Sequence, residues 1–200
     1  MKYDIIFAGV GGQGVLSMAA IIGRAAVAEG LIAKQSEVHG MAQRGGAVQA
    51  HLRLSDRPIA SDLIGHGVAD LILSLEPLES LRYLAHLSPR GALVTAAEPF
   101  ANITNYPDIA NLLARVRTLP HGVVIEAERL ASEAGDAQTV NTVMVGAASR
   151  FLPMNPDHLE VAVRETFARK GEAVVNLNLV AFRSGRASAK ALEANTTVKG

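Results

Sequence analysis

Residues 3–8 (YDIIFA) form a mostly apolar, β-prone run that predicts a first strand, and the run stops at a cluster of glycines. Residues 15–29 then carry apolar positions at helical spacing. Leu16, Ala19, Ala20, Gly23, Ala26 and Val27 share one predicted buried face, and Gly30 marks the end of the helix. Residues 31–38 read as a second strand. Residues 47–55 alternate: Val48, Ala50, Leu52 and Leu54 are interleaved with Gln49, His51 and Arg53, which predicts a strand with one wet face, at an edge or an interface.

Buried strands are predicted at residues 70–75 and 91–97, joined by a helix over 78–87, and a helix over 108–117 precedes a short final strand at 123–125. From Thr139 onward strand patterns cease. Three helices are predicted there, over 140–151, 158–169 and 173–184, the second capped by Asn155 or Asp157. Strands alternating with helices predict an α/β fold: a Rossmann-like open, mostly parallel sheet with helices on both faces and a helical C-terminal portion. No repeat or linker divides the chain, so residues 1–185 read as a single domain and residues 186–200, rich in Ala, Ser, Thr and Lys, as a flexible tail.

Composition narrows the class. With 200 residues, 49% of them hydrophobic, the chain can bury a sizeable core without staples. It has no cysteine, which excludes a disulfide, a thiol nucleophile and any iron–sulfur cluster held by its own thiolates. Nineteen basic residues balance nineteen acidic ones, so no general attraction to nucleic acid or an anionic membrane is expected. No apolar run reaches the ~18 residues of a membrane helix. Asp4 lies within an N-terminus that runs directly into a strand, and a cytoplasmic location is expected.

Two loops carry the candidate chemistry. The first, GVGGQG, places Gly9, Gly11 and Gly14 at G-x-G-x-x-G spacing between a strand and a helix, with Gly12 and Gln13 inside it. Such a loop lets a ligand or another backbone approach, and the helix behind it directs free N–H groups toward an anion. A dinucleotide site would also need an acid near the end of the second strand, which Glu37 offers. Three readings stay open at this level: a dinucleotide loop, glycines that only pack helix on sheet, and a loop that meets a cofactor or a partner subunit.

The second loop, EVHGMAQRGG at residues 37–46, is the more specific. His39 is a possible acid or base, Gln43 an amide donor and acceptor, and Arg44 a fixed cation suited to carboxylate or phosphate; Gly40, Gly45 and Gly46 allow sharp turns. The plain alternative is a surface loop with a solvated arginine. The remaining histidines, His51, His66, His86, His121 and His158, lack metal-site spacing, and no Ser-His-Asp order is present. No residue is assigned a catalytic or metal-binding role, so the chain does not read as a self-sufficient enzyme.

The pairing of residues 5–26 (IIFAGVGGQGVLSMAAIIGRAA) with residues 36–55 (SEVHGMAQRGGAVQAHLRLS) resembles the gamma-type domain of the 2-oxoacid:ferredoxin oxidoreductases. Within that group EVHGMAQRGG is similar to the small (beta) subunit of the indolepyruvate type. Pyruvate and 2-oxoglutarate members carry a run closer to YGPEARGG, so His39, Met41 and Gln43 point to the arylpyruvate branch. NTVMVGA at residues 141–147 and NLNLVAFRSG at residues 176–185 resemble later family segments, which extends the likeness over residues 1–185.

The resemblance implies a subunit of an enzyme that oxidatively decarboxylates arylpyruvates to aryl-acetyl-CoA and reduces ferredoxin. The alternatives are the gamma subunit of a pyruvate, 2-ketoisovalerate or 2-oxoglutarate:ferredoxin oxidoreductase, a purely structural partner subunit, and a free-standing nucleotide-binding protein. It further implies that thiamine diphosphate, Mg2+ and [4Fe-4S] clusters sit on a large (alpha) subunit, with coenzyme A as co-substrate. Gly9, Gly11, Gly12, Gln13, Gly14, His39, Gln43, Arg44, Gly45 and Gly46 would then line a cofactor or subunit boundary, with Gln13 and Gln43 hydrogen-bonding across it. Pairing of the isolated chain with a second copy through its partner-facing surface is a further expectation.

Overall fold

The computed structural model describes residues 1–39, 45–101 and 103–197, without the side chains of residues 38, 39 and 193–197. Six strands form one sheet: β1 (Lys2–Val10), β2 (Ile32–His39), β3 (Ala47–Ser55), β4 (Ala69–Ser74), β5 (Leu87–Ala96) and β6 (Gly122–Ile125), in the order β2-β3-β1-β4-β5-β6. β1, β4, β5 and β6 pair in parallel, whereas β3 runs antiparallel to both β1 and β2. Five strands therefore point one way, and their C-terminal ends share one edge.

The helices cover both faces of this sheet. Alternation along β1 sends Ile5 and Phe7 into a core with α1 (Val15–Ala28), α4 (Ala127–Glu133), α5 (Val140–Ala148), α6 (Pro156–Phe167) and α7 (Glu172–Thr197). Ile6 points the other way, into a smaller cluster with Val116 of α3 (Ile109–Arg117) and Leu81 of α2 (Pro77–Arg82). Each fully buried side chain such as Phe7, Phe182 or Ile72 contributes roughly 1.5–3 kcal/mol. Close helix contact needs a bare backbone at Gly146 of α5, where a Cβ would overlap the Phe182 carbonyl of α7.

Several expectations are corrected. β3 is an interior strand, and its polar side is covered: His51 is only 3% exposed, its Nδ1 accepting the Ile64 N–H at 2.8 Å. Arg53 makes paired contacts with Asp4 at 2.9 and 3.2 Å and donates to the carbonyls of Ser61 and Leu63. The segment between β3 and β4 thus lies over the face that the alternation predicts to be wet. On α1, Met18, Ile21, Ile22 and Ala25 are buried while Val27 is 59% exposed, so the buried face is rotated from the predicted one.

The helix predicted over 78–87 is broken into α2 and a 3-10 turn at Leu84–His86, and β5 starts at Leu87. α4 is present where no element is predicted. Asn155, not Asp157, caps α6, its side chain accepting the Asp157 N–H at 3.0 Å. α7 continues past Gly185 to Thr197 and buries Ala189, so the predicted tail is helical as far as that residue. Among the described residues no helix is long and apolar enough to cross a membrane.

Candidate active-site edge

The two glycine-bearing loops meet at the strand C-terminal edge. The Gly11 N–H donates to the Gly46 carbonyl at 2.8 Å, and the Gly45 N–H approaches the Gly11 carbonyl at 3.5 Å. This pairing extends the β1–β3 ladder, whose last register pair is Val10 with Ala47. Antiparallel β3 therefore begins where β1 ends, which is why residues more than 30 positions apart in sequence share one rim. Gln43 and Arg44 lie outside the described residues, as does the side chain of His39.

Gly14 caps α1 in the left-handed region at φ 82°, with no side-chain cap among the described residues and no acidic residue in the first turn. Glycine suits that conformation, and the uncapped helix start favours an anion or a partner's acceptor group. Gln13 turns inward: its Oε1 accepts the Val10 N–H at 2.7 Å and its Nε2 donates to the Leu75 carbonyl at 3.3 Å. The side chain expected to reach across a boundary instead ties the glycine loop to the end of β4.

A cleft of about 400 Å3 opens beside this loop, at the ends of β1, β4 and β5. Gly12, Gln13 and Gly14 form one side, Leu75 and Ala96 the floor, and Glu98, Phe100, Gln138 and Asn141 the remaining walls. It occupies the switch point where open α/β sheets bind ligands, because connections leave β1 and β4 in opposite directions along the sheet. A larger recess of about 640 Å3 flanks β6 between α3 and α7, but among the described residues it shares no lining residue with either glycine loop.

Charge in the cleft comes from Glu98 and Glu128. Glu98 Oε1 accepts the Glu128 N–H at 3.2 Å, while its Oε2 is buried without a hydrogen-bond partner among the described residues. Burial is the main cause of a raised Glu98 pKa. Asn141, at the head of α5, donates from Nδ2 to the Gly14 carbonyl at 3.3 Å.

Of these wall residues only Asn141 has a signal in the sequence, as the leading residue of NTVMVGA. Glu98 and Phe100 come from the β5–α3 connection and Gln138 from the α4–α5 connection, and folding alone brings the two connections together. Glu37, the candidate ribose ligand, lies on β2 opposite Ala50, with all of β3 between it and β1. At ~4.8 Å per strand it is displaced by two strand spacings from the glycine loop, so the dinucleotide arrangement of adjacent first and second strands is absent.

No group of three or more His, Asp or Glu side chains among the described residues is arranged to hold a metal. With no cysteine in the chain, thiolate-bound clusters do not fit it.

Comparison with known proteins agrees with this geometry. The family model for pyruvate ferredoxin/flavodoxin oxidoreductase matches residues 4–188. Indolepyruvate oxidoreductase subunit IorB of Archaeoglobus fulgidus is 36% identical over 194 residues, covering 92% of this chain and 94% of that protein. Among solved structures, the gamma subunit of a keto/oxoacid ferredoxin oxidoreductase from Geobacter sulfurreducens superposes with a TM-score of 0.72 at 27% identity, covering 96% of this chain and 98% of that one.

The 2-oxoglutarate:ferredoxin oxidoreductase of Magnetococcus marinus, solved with 2-oxoglutarate, coenzyme A and succinyl-CoA bound, gives a TM-score of 0.74 at 25% identity. It covers 95% of this chain and 31% of that longer one. With the family model spanning nearly all of the fold and both glycine loops inside the matched residues, the chain belongs to the pyruvate ferredoxin/flavodoxin oxidoreductase family.

Proposed function

We propose that the chain is the small subunit of an indolepyruvate:ferredoxin oxidoreductase, and that its strand C-terminal edge completes a site shared with a large subunit. The observation that carries this reading is the Gly11–Gly46 pairing, which holds the described end of the second loop against the glycine loop, whose Gly12, Gln13 and Gly14 line the cleft. The Archaeoglobus relative supports the arylpyruvate branch, since its identity of 36% exceeds the 25% of the Magnetococcus 2-oxoglutarate enzyme.

In the overall reaction an arylpyruvate loses CO2, its acyl group passes to the coenzyme A thiol, and two electrons and a proton leave, the electrons to ferredoxin. Bound on the large subunit, thiamine diphosphate with Mg2+ would supply the electron sink for decarboxylation, and iron–sulfur clusters held there would carry the electrons. This chain orients groups and excludes water. To Arg44 this reading assigns the binding of an anion, either a coenzyme A phosphate or a carboxylate of the large subunit, and to His39, Gln43, Gly45 and Gly46 a supporting part in the same loop. The complex works in the cytoplasm.

A second reading, that the chain only stabilises the large subunit, is favoured by Gln13, whose amide serves its own fold. Arg44→Ala in the reconstituted complex tests the role given to Arg44, and turnover of the loop variants at full assembly separates the two readings. The coenzyme A KM or the subunit affinity should change. If both are unchanged, the role given to Arg44 is wrong, and if loop variants alter assembly alone, the structural reading holds.

A further inference from the structure

The wall of the cleft formed by the β5–α3 connection is held at both ends by carboxylates. At its start Glu98 accepts the first-turn N–H of α4. Toward its end the Tyr106 hydroxyl donates to the Glu76 carboxylate, which is only 1% exposed. The second Glu76 oxygen accepts the Glu79 N–H at 2.7 Å and so caps α2.

Glu76 also adjoins the cleft floor. Its carbonyl takes a hydrogen bond from Ser74 Oγ at 2.7 Å, and its neighbour Leu75 forms part of the cleft floor. The Leu75 N–H donates to Ala8 at 3.0 Å, and the Leu75 carbonyl receives Gln13 Nε2. A continuous path of hydrogen bonds and backbone therefore runs from the glycine loop through Leu75 and Glu76 to Tyr106. Between the two clasps Phe100 stands 45% exposed on the cleft wall, with Ile103 exposed farther along the connection.

A buried carboxylate requires its donors, and a phenol supplies one without a competing charge. Burial and the adjoining Glu76 push the Tyr106 ionisation well above the usual phenol range, so the hydroxyl remains a donor at every working pH.

We infer that Tyr106 is a positioning residue: by latching the β5–α3 connection to Glu76, it sets the spacing between Phe100 and the glycine loop, and with it the width of the cleft. This inference rests on the reading that the cleft takes part in the reaction of the assembled complex.

The test uses the reconstituted complex with Tyr106→Phe, Phe100→Ala and Asn141→Ala. Steady-state kinetics in arylpyruvate and in coenzyme A are combined with hydrogen–deuterium exchange of residues 103–108. Tyr106→Phe should raise at least one KM about fivefold, the size of one lost hydrogen bond, with kcat changed less than about twofold. It should also speed exchange in the connection while leaving subunit affinity intact. Phe100→Ala should raise the same KM.

If Tyr106→Phe loosens the connection yet leaves both KM values unchanged while the other two variants alter kinetics, the latch is overturned and the cleft reading survives. If none of the three alters KM or kcat at full assembly, the cleft reading itself falls. Should Tyr106→Phe alone misfold because Glu76 is stranded, Tyr106→Phe/Glu76→Gln removes the charge along with the tether, and unchanged KM values in that double variant overturn the latch equally.

Discussion

Asn141 and Gly14 are 127 positions apart, yet the Asn141 amide donates to the Gly14 carbonyl at 3.3 Å, and a Cβ on Gly14 would collide with that same amide. The start of α1 and the start of α5 are thereby joined beside the cleft. Gly14→Ala must accept both the left-handed conformation and the collision, for an expected loss of ~1–3 kcal/mol. Asn141→Ala removes one hydrogen bond, worth ~1 kcal/mol. Urea denaturation of each isolated variant, beside turnover of the reassembled complex, checks both values. Turnover of Asn141→Ala should fall by more than its stability loss explains.

Gly146 lies where the backbones of α5 and α7 touch. Gly146→Ala should push α7 away and cost ~1–3 kcal/mol or more, because neither side of the contact is a flexible side chain. The readout is the thermal midpoint, with a polar-to-alanine change on exposed α3 as the comparison that should move it little.

Asp4 is fully buried and meets Arg53, itself mostly covered, in a paired contact, with Lys2 adding a further charge at 2.7 Å. Arg53→Ala would leave the carboxylate without its main counter-charge, at an expected cost of ~3–5 kcal/mol. It would also free the carbonyls of Ser61 and Leu63, so protease cleavage between β3 and β4 should accelerate. Replacing both Asp4 and Arg53 by apolar residues should cost less than Arg53→Ala alone.

His51 brings a pH dependence. Its Nδ1 accepts the Ile64 N–H, which requires that nitrogen to be unprotonated, and His86 lies edge-on with ring centroids 6.1 Å apart. Burial first, then His86 and Arg53, push the His51 pKa down against the opposing pull of Asp4. The folded pKa lies below the unfolded value of about 6.5, so the unfolded chain binds more protons. The stabilisation is complete above about pH 6.5 and is lost as pH falls from there through the folded pKa. Urea midpoints at about pH 7.5 and 5.5 should diverge for the native chain. They should converge in His51→Asn, whose Oδ1 can still accept from Ile64 without titrating.

Much of the fold is legible in the sequence because local rules and global position agree. The β1 run, the helix ending at Gly30, and the alternation of residues 47–55, whose boundaries match β3, all follow from periodicity and turn chemistry. The error at β3 has a clear physical source. Gln49, His51 and Arg53 are polar, and polarity predicts solvent; a buried polar face is legible only once the covering segment with the Ile64 N–H and the Ser61 and Leu63 carbonyls is in place. α4 escapes prediction because its seven residues bury only Ala127, Leu130 and Ala131, too short a stripe to stand out.

The sequence by itself determined the α/β class, the two glycine loops, the lack of thiol chemistry and, through long motifs, the family, since each depends on residue type and local spacing. Only the tertiary structure decided that β3 reverses direction, so that Gly46 meets Gly11, that Gln13 turns inward, and that Asn141, Glu98 and Phe100 wall one cleft. Those outcomes depend on strand order and on which connection crosses which edge, quantities set by the packing of the whole sheet and carried by no single segment of the chain.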